Sequence, residues 1–193
     1  MSQDAFQKMQ IVGIDDGSFK KEVTKKALLA AVLFKGLTIE DIRFTKVKVD
    51  GLDATARVAE VLNGWEFDAV MLAGVSFAGF NVVDPTILFD EFRKPLIIIS
   101  RKKPNNKAVK QALLHHFKDW QIRWEVFQKL GIIYKVNMSA GEFPLYIEIV
   151  GGDLHWAKDI IKAMAVSGRV PEPIRVARLI ARGLSSKRKN LNI

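Results

Sequence analysis

Short apolar runs, most of them closed by glycine, proline or charged residues, recur along the 193-residue chain and predict the order of its elements. Residues 10–14 (QIVGI) read as a buried strand, and residues 27–34 (ALLAAVLF) as a second one before Lys35-Gly36. Residues 38–49 alternate in part, with Ile42, Phe44, Val47 and Val49 apolar, and end at Asp50-Gly51. These three predict an antiparallel meander. The period then lengthens. Ala56, Val58, Ala59, Val61 and Leu62 recur at helical spacing, and Asn63-Gly64 stops the run.

Residues 69–72 (AVML) form a continuous apolar run, followed by a glycine-containing loop over 74–81. Asp84-Pro85 reads as an N-cap with proline in the first turn, opening a helix to Phe92. Residues 95–100 (PLIIIS) predict another buried strand, and 106–130 a helical stretch broken near Lys118-Asp119. Strands follow over 132–136 and 145–150, then helices over 153–166 and 173–184. Continuous apolar strands separated by helices suit parallel pairing with both faces covered. Three meander strands, then helix, strand, helix, strand, is the order of a ribonuclease H-like fold: an α/β mixed sheet flanked by helices, its first strand central. With no internal repeat or long linker, residues 1–184 read as one domain and 185–193 as a basic tail.

In open sheets ligands gather at the carboxyl ends of parallel strands. That edge should bring together Asp15 and Asp16, the 74–81 loop, and Arg101, Lys102 and Lys103. Asp50 and Asp53 sit where the meander enters the first long helix, and Asp53 is placed to interact with that helix N-terminus. Carboxylates brought together repel unless a cation compensates. Mg2+, or Mn2+ in its place, favours such hard oxygen ligands and promotes phosphodiester hydrolysis. Each carboxylate also has a structural reading: Asp16 ends a turn, Asp50 belongs to a β-turn and Asp53 caps a helix.

Composition narrows the alternatives. Thirty Lys and Arg against 21 Asp and Glu give a net charge of +9, which favours polyanionic partners such as nucleic acid. Arg175, Arg178 and Arg182 form one stripe on the last predicted helix, with Arg169 before them and Lys187, Arg188 and Lys189 after. The absence of cysteine excludes disulfides, thiolate zinc and cysteine nucleophiles. His115 and His116 are adjacent on a predicted helix and point apart. Trp120 and Trp124, four apart, read as packing residues. With no secretory pattern and no membrane-length apolar run, the expected location is cytoplasmic.

GIDDGSF, VDGLDAT, AGVSFAGFNVVD and PEPIRVARLIARGL, in that order over nearly the whole chain, resemble the archaeal endonuclease dU family, itself distantly similar to endonuclease V. The resemblance implies Mg2+-dependent cleavage of DNA containing deaminated bases, chiefly deoxyuridine. It aligns Asp15 with the first catalytic aspartate of endonuclease V and Asp53 with its glutamate. Ala73 stands where that enzyme has a third acid, leaving Asp16 or Asp50 to supply a carboxylate. Phe80-Asn81 stands in the region of its histidine, and residues 49–52 replace its strand-parting wedge. For an extruded base, Phe77 or Phe80 would stack and Ser76 or Asn81 would bond the pairing edge. Two other readings remain: a non-catalytic nucleic-acid-binding relative, and a nucleotide-binding protein of the actin-like fold, whose phosphate motif Gly-Ile-Asp-x-Gly-Ser resembles.

Overall fold

A computed structural model describes residues 3–138 and 142–185. Helix α1 (Gln3–Lys8), which the apolar pattern did not indicate, leads into β1 (Gln10–Asp16), β2 (Lys26–Lys35) and β3 (Thr38–Lys48). These three make the expected antiparallel meander, with Ile14 opposite Ala31 and Ala31 opposite Arg43. Next come α2 (Ala54–Leu62), β4 (Ala69–Leu72), a small hairpin of β5 (Ser76–Phe77) and β6 (Asn81–Val82), and α3 (Pro85–Phe92). The chain continues through β7 (Leu96–Ser100), α4 (Asn106–His116), α5 (Trp120–Lys129), β8 (Tyr134–Val136), β9 (Leu145–Val150), α6 (Leu154–Met164) and α7 (Glu172–Ser185).

The main sheet has seven strands in the order β3-β2-β1-β4-β7-β9-β8. Its β1–β4 and β4–β7 pairs are parallel, and β9 runs antiparallel to both β7 and β8. The central strands are buried on both faces, which explains their unbroken apolar sequences. Edge strand β3 is mostly exposed and correspondingly polar. The α/β mixed sheet flanked by helices is therefore as expected. The last two strands extend it, and the 74–81 loop contains a hairpin.

Alternation along each strand divides the core into two layers. Val12, Ile14, Leu72 and Ile98 pack with Val58, Leu88, Leu113 and Phe127 on the face covered by α2 to α5. Trp120 and Trp124 border this layer as packing residues. Ile11, Met71, Ile97 and Ile147 pack with Ile160, Met164, Ile174 and Ala177 on the face covered by α6 and α7. At Gly13 a side chain is excluded: a Cβ there would lie 2.1 Å from the Pro173 carbonyl carbon. This close approach seats α7 on β1 and brings its arginines to the carboxyl end of that strand.

The Asp84-Pro85 signal opens α3 as expected, with Asp84 Oδ1 accepting from the Thr86 N–H at 2.9 Å. Helix α2 is capped differently. Asp53 makes no side-chain cap, and the Ala54 N–H instead donates to Asn81 Oδ1 at 2.9 Å. Among the described residues no helix is long and apolar enough to cross a membrane. Lys187, Arg188 and Lys189 lie outside the described residues.

Candidate active site

The parallel register of β1, β4 and β7 sets Asp15 and Asp16, Ala73, and Ser100 and Arg101 along one sheet edge. A cavity of about 640 Å³ opens there, lined in part by Asp15, Ala73, Ser100, Arg101, Lys102 and Arg178. Arg175 lines it too, but its guanidinium is bidentate to Glu172, at 2.8 and 2.6 Å. Arg178 and Arg182 act through space on Asp15. Burial, followed by the nearby charge of Arg101, pulls the Arg178 guanidinium below its ordinary pKa. Lys103 is exposed in the turn after β7.

Asp15 is 7% exposed. Its Oδ1 accepts the Asp16 N–H at 2.8 Å, while Oδ2 is buried with no hydrogen-bond partner. Burial pushes the Asp15 carboxyl up to about 7, against the Asp16 N–H bond and the arginine charges, and the neighbouring Asp16 charge adds to the rise. Asp16 Oδ2 accepts the Ala78 N–H at 2.6 Å, and burial raises its carboxyl as well. Two desolvated carboxylates with an unpartnered oxygen are the environment a divalent cation relieves. The donor chemistry suits a divalent cation, and Asp15 and Asp16 are the residues that could hold one.

The structure does not assemble the larger carboxylate set expected from the sequence. Among the described residues no three His, Asp or Glu side chains are grouped to hold a metal. Asp50, in the left-handed region at φ 55°, has Oδ1 accepting the Phe80 N–H at 2.8 Å. Asp53 Oδ1 accepts from Lys48 N–H at 3.1 Å and Asn81 Nδ2 at 2.6 Å. Burial pushes the Asp53 carboxyl up, but the Asn81 and Lys48 bonds outweigh it and hold the group below its usual range. Asp50 and Asp53 thus fasten the turn into α2 to the 74–82 loop. Gly79, at φ 90°, belongs to this fastening, since a Cβ there would lie 2.2 Å from Asp50 Oδ1.

The residues expected to read a base are similarly divided. Asn81 is fully buried, and its Nδ2 also donates to the Lys48 carbonyl at 2.8 Å, so its side chain is occupied within the fold. Phe77 is 1% exposed in the core, and Phe80 packs edge-on against Phe117 at 5.6 Å. Ser76 lines a second cavity, on the opposite face of the sheet edge. Two buried residues escaped the sequence reading. Arg123 donates to the carbonyls of Asp50, Gly51 and Phe80 and stacks 4.2 Å from the Phe117 ring. Glu148 is a buried acid inside the apolar run LYIEIV, and that interruption was its available signal.

The pattern of the family described as Endonuclease dU matches residues 7–185. A UPF0215 protein of Methanothermobacter thermautotrophicus is 36% identical over 182 residues, covering 92% of this chain and 88% of that one. A solved structure of an Archaeoglobus fulgidus protein superposes with a TM-score of 0.80 at 26% identity, covering 92% of this chain and 98% of that one. Ciona intestinalis endonuclease V, in complex with a 24mer DNA containing an inosine followed by a ribo-adenosine, superposes with a TM-score of 0.57. Its identity is 14%, over 88% of this chain and 82% of that one, so that likeness concerns the ribonuclease H-like fold alone. By family pattern and sequence identity, the chain belongs to the endonuclease dU family.

Proposed function

We propose that this protein is a metal-dependent endonuclease that hydrolyses a phosphodiester bond in DNA near deaminated bases, chiefly deoxyuridine. Family membership and the shared fold support the nuclease class. The observation that carries the reading is the buried, unpartnered Oδ2 of Asp15, a residue at the end of the central strand that lines a cavity with Arg101, Lys102 and Arg178.

Asp15 and Asp16 would hold the divalent ion, which when bound supplies Lewis-acid stabilisation of charge on phosphate oxygens. The chain's own residues do the rest. Arg101, Lys102 and Arg178 neutralise and orient the phosphate backbone. Arg175 contributes less net attraction because Glu172 already pairs with it. The Asp16 carboxylate, anchored by the Ala78 N–H, ties the 74–82 loop to the reacting edge. The actin-like reading has less room: a Cβ at Gly17 would lie 2.6 Å from the Ala181 carbonyl oxygen, so α7 covers the glycine of that motif. Metal-dependent nicking of uracil-containing duplex by wild type but not Asp15→Asn supports the proposal. DNA binding with no cleavage in Mg2+ or Mn2+ would instead make the protein a non-catalytic binding relative.

A further inference from the structure

The second cavity, of about 210 Å³, is lined by Gly74, Ser76, Ile98, Ser100, Asn106, Phe127 and Glu148. Ser100 also lines the Asp15 cavity, so the two open on opposite faces of one strand end. Glu148 stands on β9 opposite Ile98 of β7 and is 5% exposed. Its carboxyl has no hydrogen-bond or ion-pair partner among the described residues, and it lines the cavity. A carboxyl so little exposed, left unpaired by the protein and lining a cavity, is placed to bond whatever enters that cavity.

The walls suit a planar ring. Ile98 and Phe127 are apolar, while Ser76, Ser100 and Asn106 supply polar groups around them. At Gly74, φ 89°, nothing lies within 4 Å of where a Cβ would be, so no side chain narrows that approach. The volume is below the roughly 300–1,000 Å³ of drug-sized sites, in keeping with a single small ring.

We infer that this cavity receives an extruded nucleobase presenting an N–H beside a carbonyl, as uracil does, and that Glu148 is the side chain that pairs with that edge. The inference rests on the proposed DNA-cleaving function and names the base-reading group of the same site. Burial raises the Glu148 carboxyl toward its neutral form. A neutral carboxyl has one donor and one acceptor side by side. In that form its carbonyl oxygen would accept the base N–H while its hydroxyl donates to the base carbonyl. The role assigned from sequence to Asn81 thereby passes to Glu148, and Ser100 lies between the base and the phosphate at Asp15.

The test is fluorescence anisotropy with the full chain in chelator, so that binding is read without cleavage. Three duplexes are compared: uracil opposite guanine, 3-methyluracil opposite guanine, and a tetrahydrofuran abasic site. Wild type should bind uracil about tenfold more tightly than 3-methyluracil, whose N–H is blocked. Glu148→Leu should bind those two equally and the abasic duplex as wild type does, whereas Glu148→Gln, with both a donor and an acceptor, should keep the preference. The leucine variant should melt no lower than wild type, because it removes a largely desolvated carboxyl that the protein itself does not pair. The inference is overturned if wild type shows no such preference, if Glu148→Leu retains it, or if that variant weakens all three duplexes equally. Absence of nicking in added Mg2+, with the preference lost in Glu148→Leu, would overturn the proposed reaction and leave this assignment standing.

Discussion

Replacing Asn81 by alanine tests whether this residue belongs to the scaffold or to the base reader. The side chain makes three hydrogen bonds: to the Lys48 carbonyl at 2.8 Å, to Asp53 Oδ1 at 2.6 Å, and from the Ala54 N–H at 2.9 Å. Each neutral bond contributes about 1 kcal/mol net and the one to a carboxylate about 1.5–3 kcal/mol, so the loss sums to about 3–5 kcal/mol. That is a large share of the roughly 5–15 kcal/mol stability of a typical domain. With a urea slope of about 2 kcal/mol/M, the unfolding midpoint should fall by about 1.5–2.5 M. Equilibrium urea denaturation followed by circular dichroism and tryptophan fluorescence measures it. Below the transition, Asn81→Ala should keep the wild-type preference of uracil over 3-methyluracil. A midpoint shift under about 0.5 M, or loss of that preference in folded protein, would refute the scaffold role.

Other expectations follow from the same packing. Arg123→Met removes five hydrogen bonds from a side chain 4% exposed, to three carbonyls and the Asp119 carboxylate. It should destabilise by about 3–5 kcal/mol, and a loss under 1 kcal/mol in urea titration would contradict that. Asp15 has its carboxyl raised by burial to about 7 from 3.8, so the stability tied to its neutral form is full below about pH 4 and is lost as pH rises through about 7. In chelator, the melting temperature of Asp15→Asn should therefore exceed that of wild type by more at pH 8 than at pH 5, and a gap independent of pH would argue against the buried carboxyl. The double variant Arg101→Ala/Lys102→Ala should reduce the slope of log K against log salt by about 1.8, as expected for two lost phosphate contacts. Arg175→Ala, whose charge is already paired with Glu172, should change it less.

The sequence carried the fold well where a local signal existed. The apolar runs at 69–72 and 95–100 mark the parallel strands β4 and β7 to within a residue, because burial on both faces leaves no polar positions. Asp84-Pro85 announces α3 because cap and proline are local chemistry. Asp15 stands out in the sequence for a similar reason: a carboxylate closing an apolar strand lacks a local purpose, and the structure places it buried at the end of β1. The partners of Asp53 and Asn81 were not, since their bond joins positions 28 apart in sequence and requires the loop to have folded. Arg123 reaches Asp50 across 73 positions, and periodicity shows only a polar residue on a helix. Arg175 is the opposite case. Its pairing with Glu172 three residues earlier could have been read from helical spacing, which would have set it apart from Arg178 and Arg182.

The central claim is that Asp15 anchors a metal-dependent cleavage of uracil-containing DNA. It is tested most directly by incubating wild type and Asp15→Asn with labelled duplexes, with and without uracil, in Mg2+ and in chelator. The account predicts nicking of the uracil strand by wild type in Mg2+, with none in chelator and none by Asp15→Asn. Equal nicking by the variant, or nicking unaffected by chelator, would contradict it.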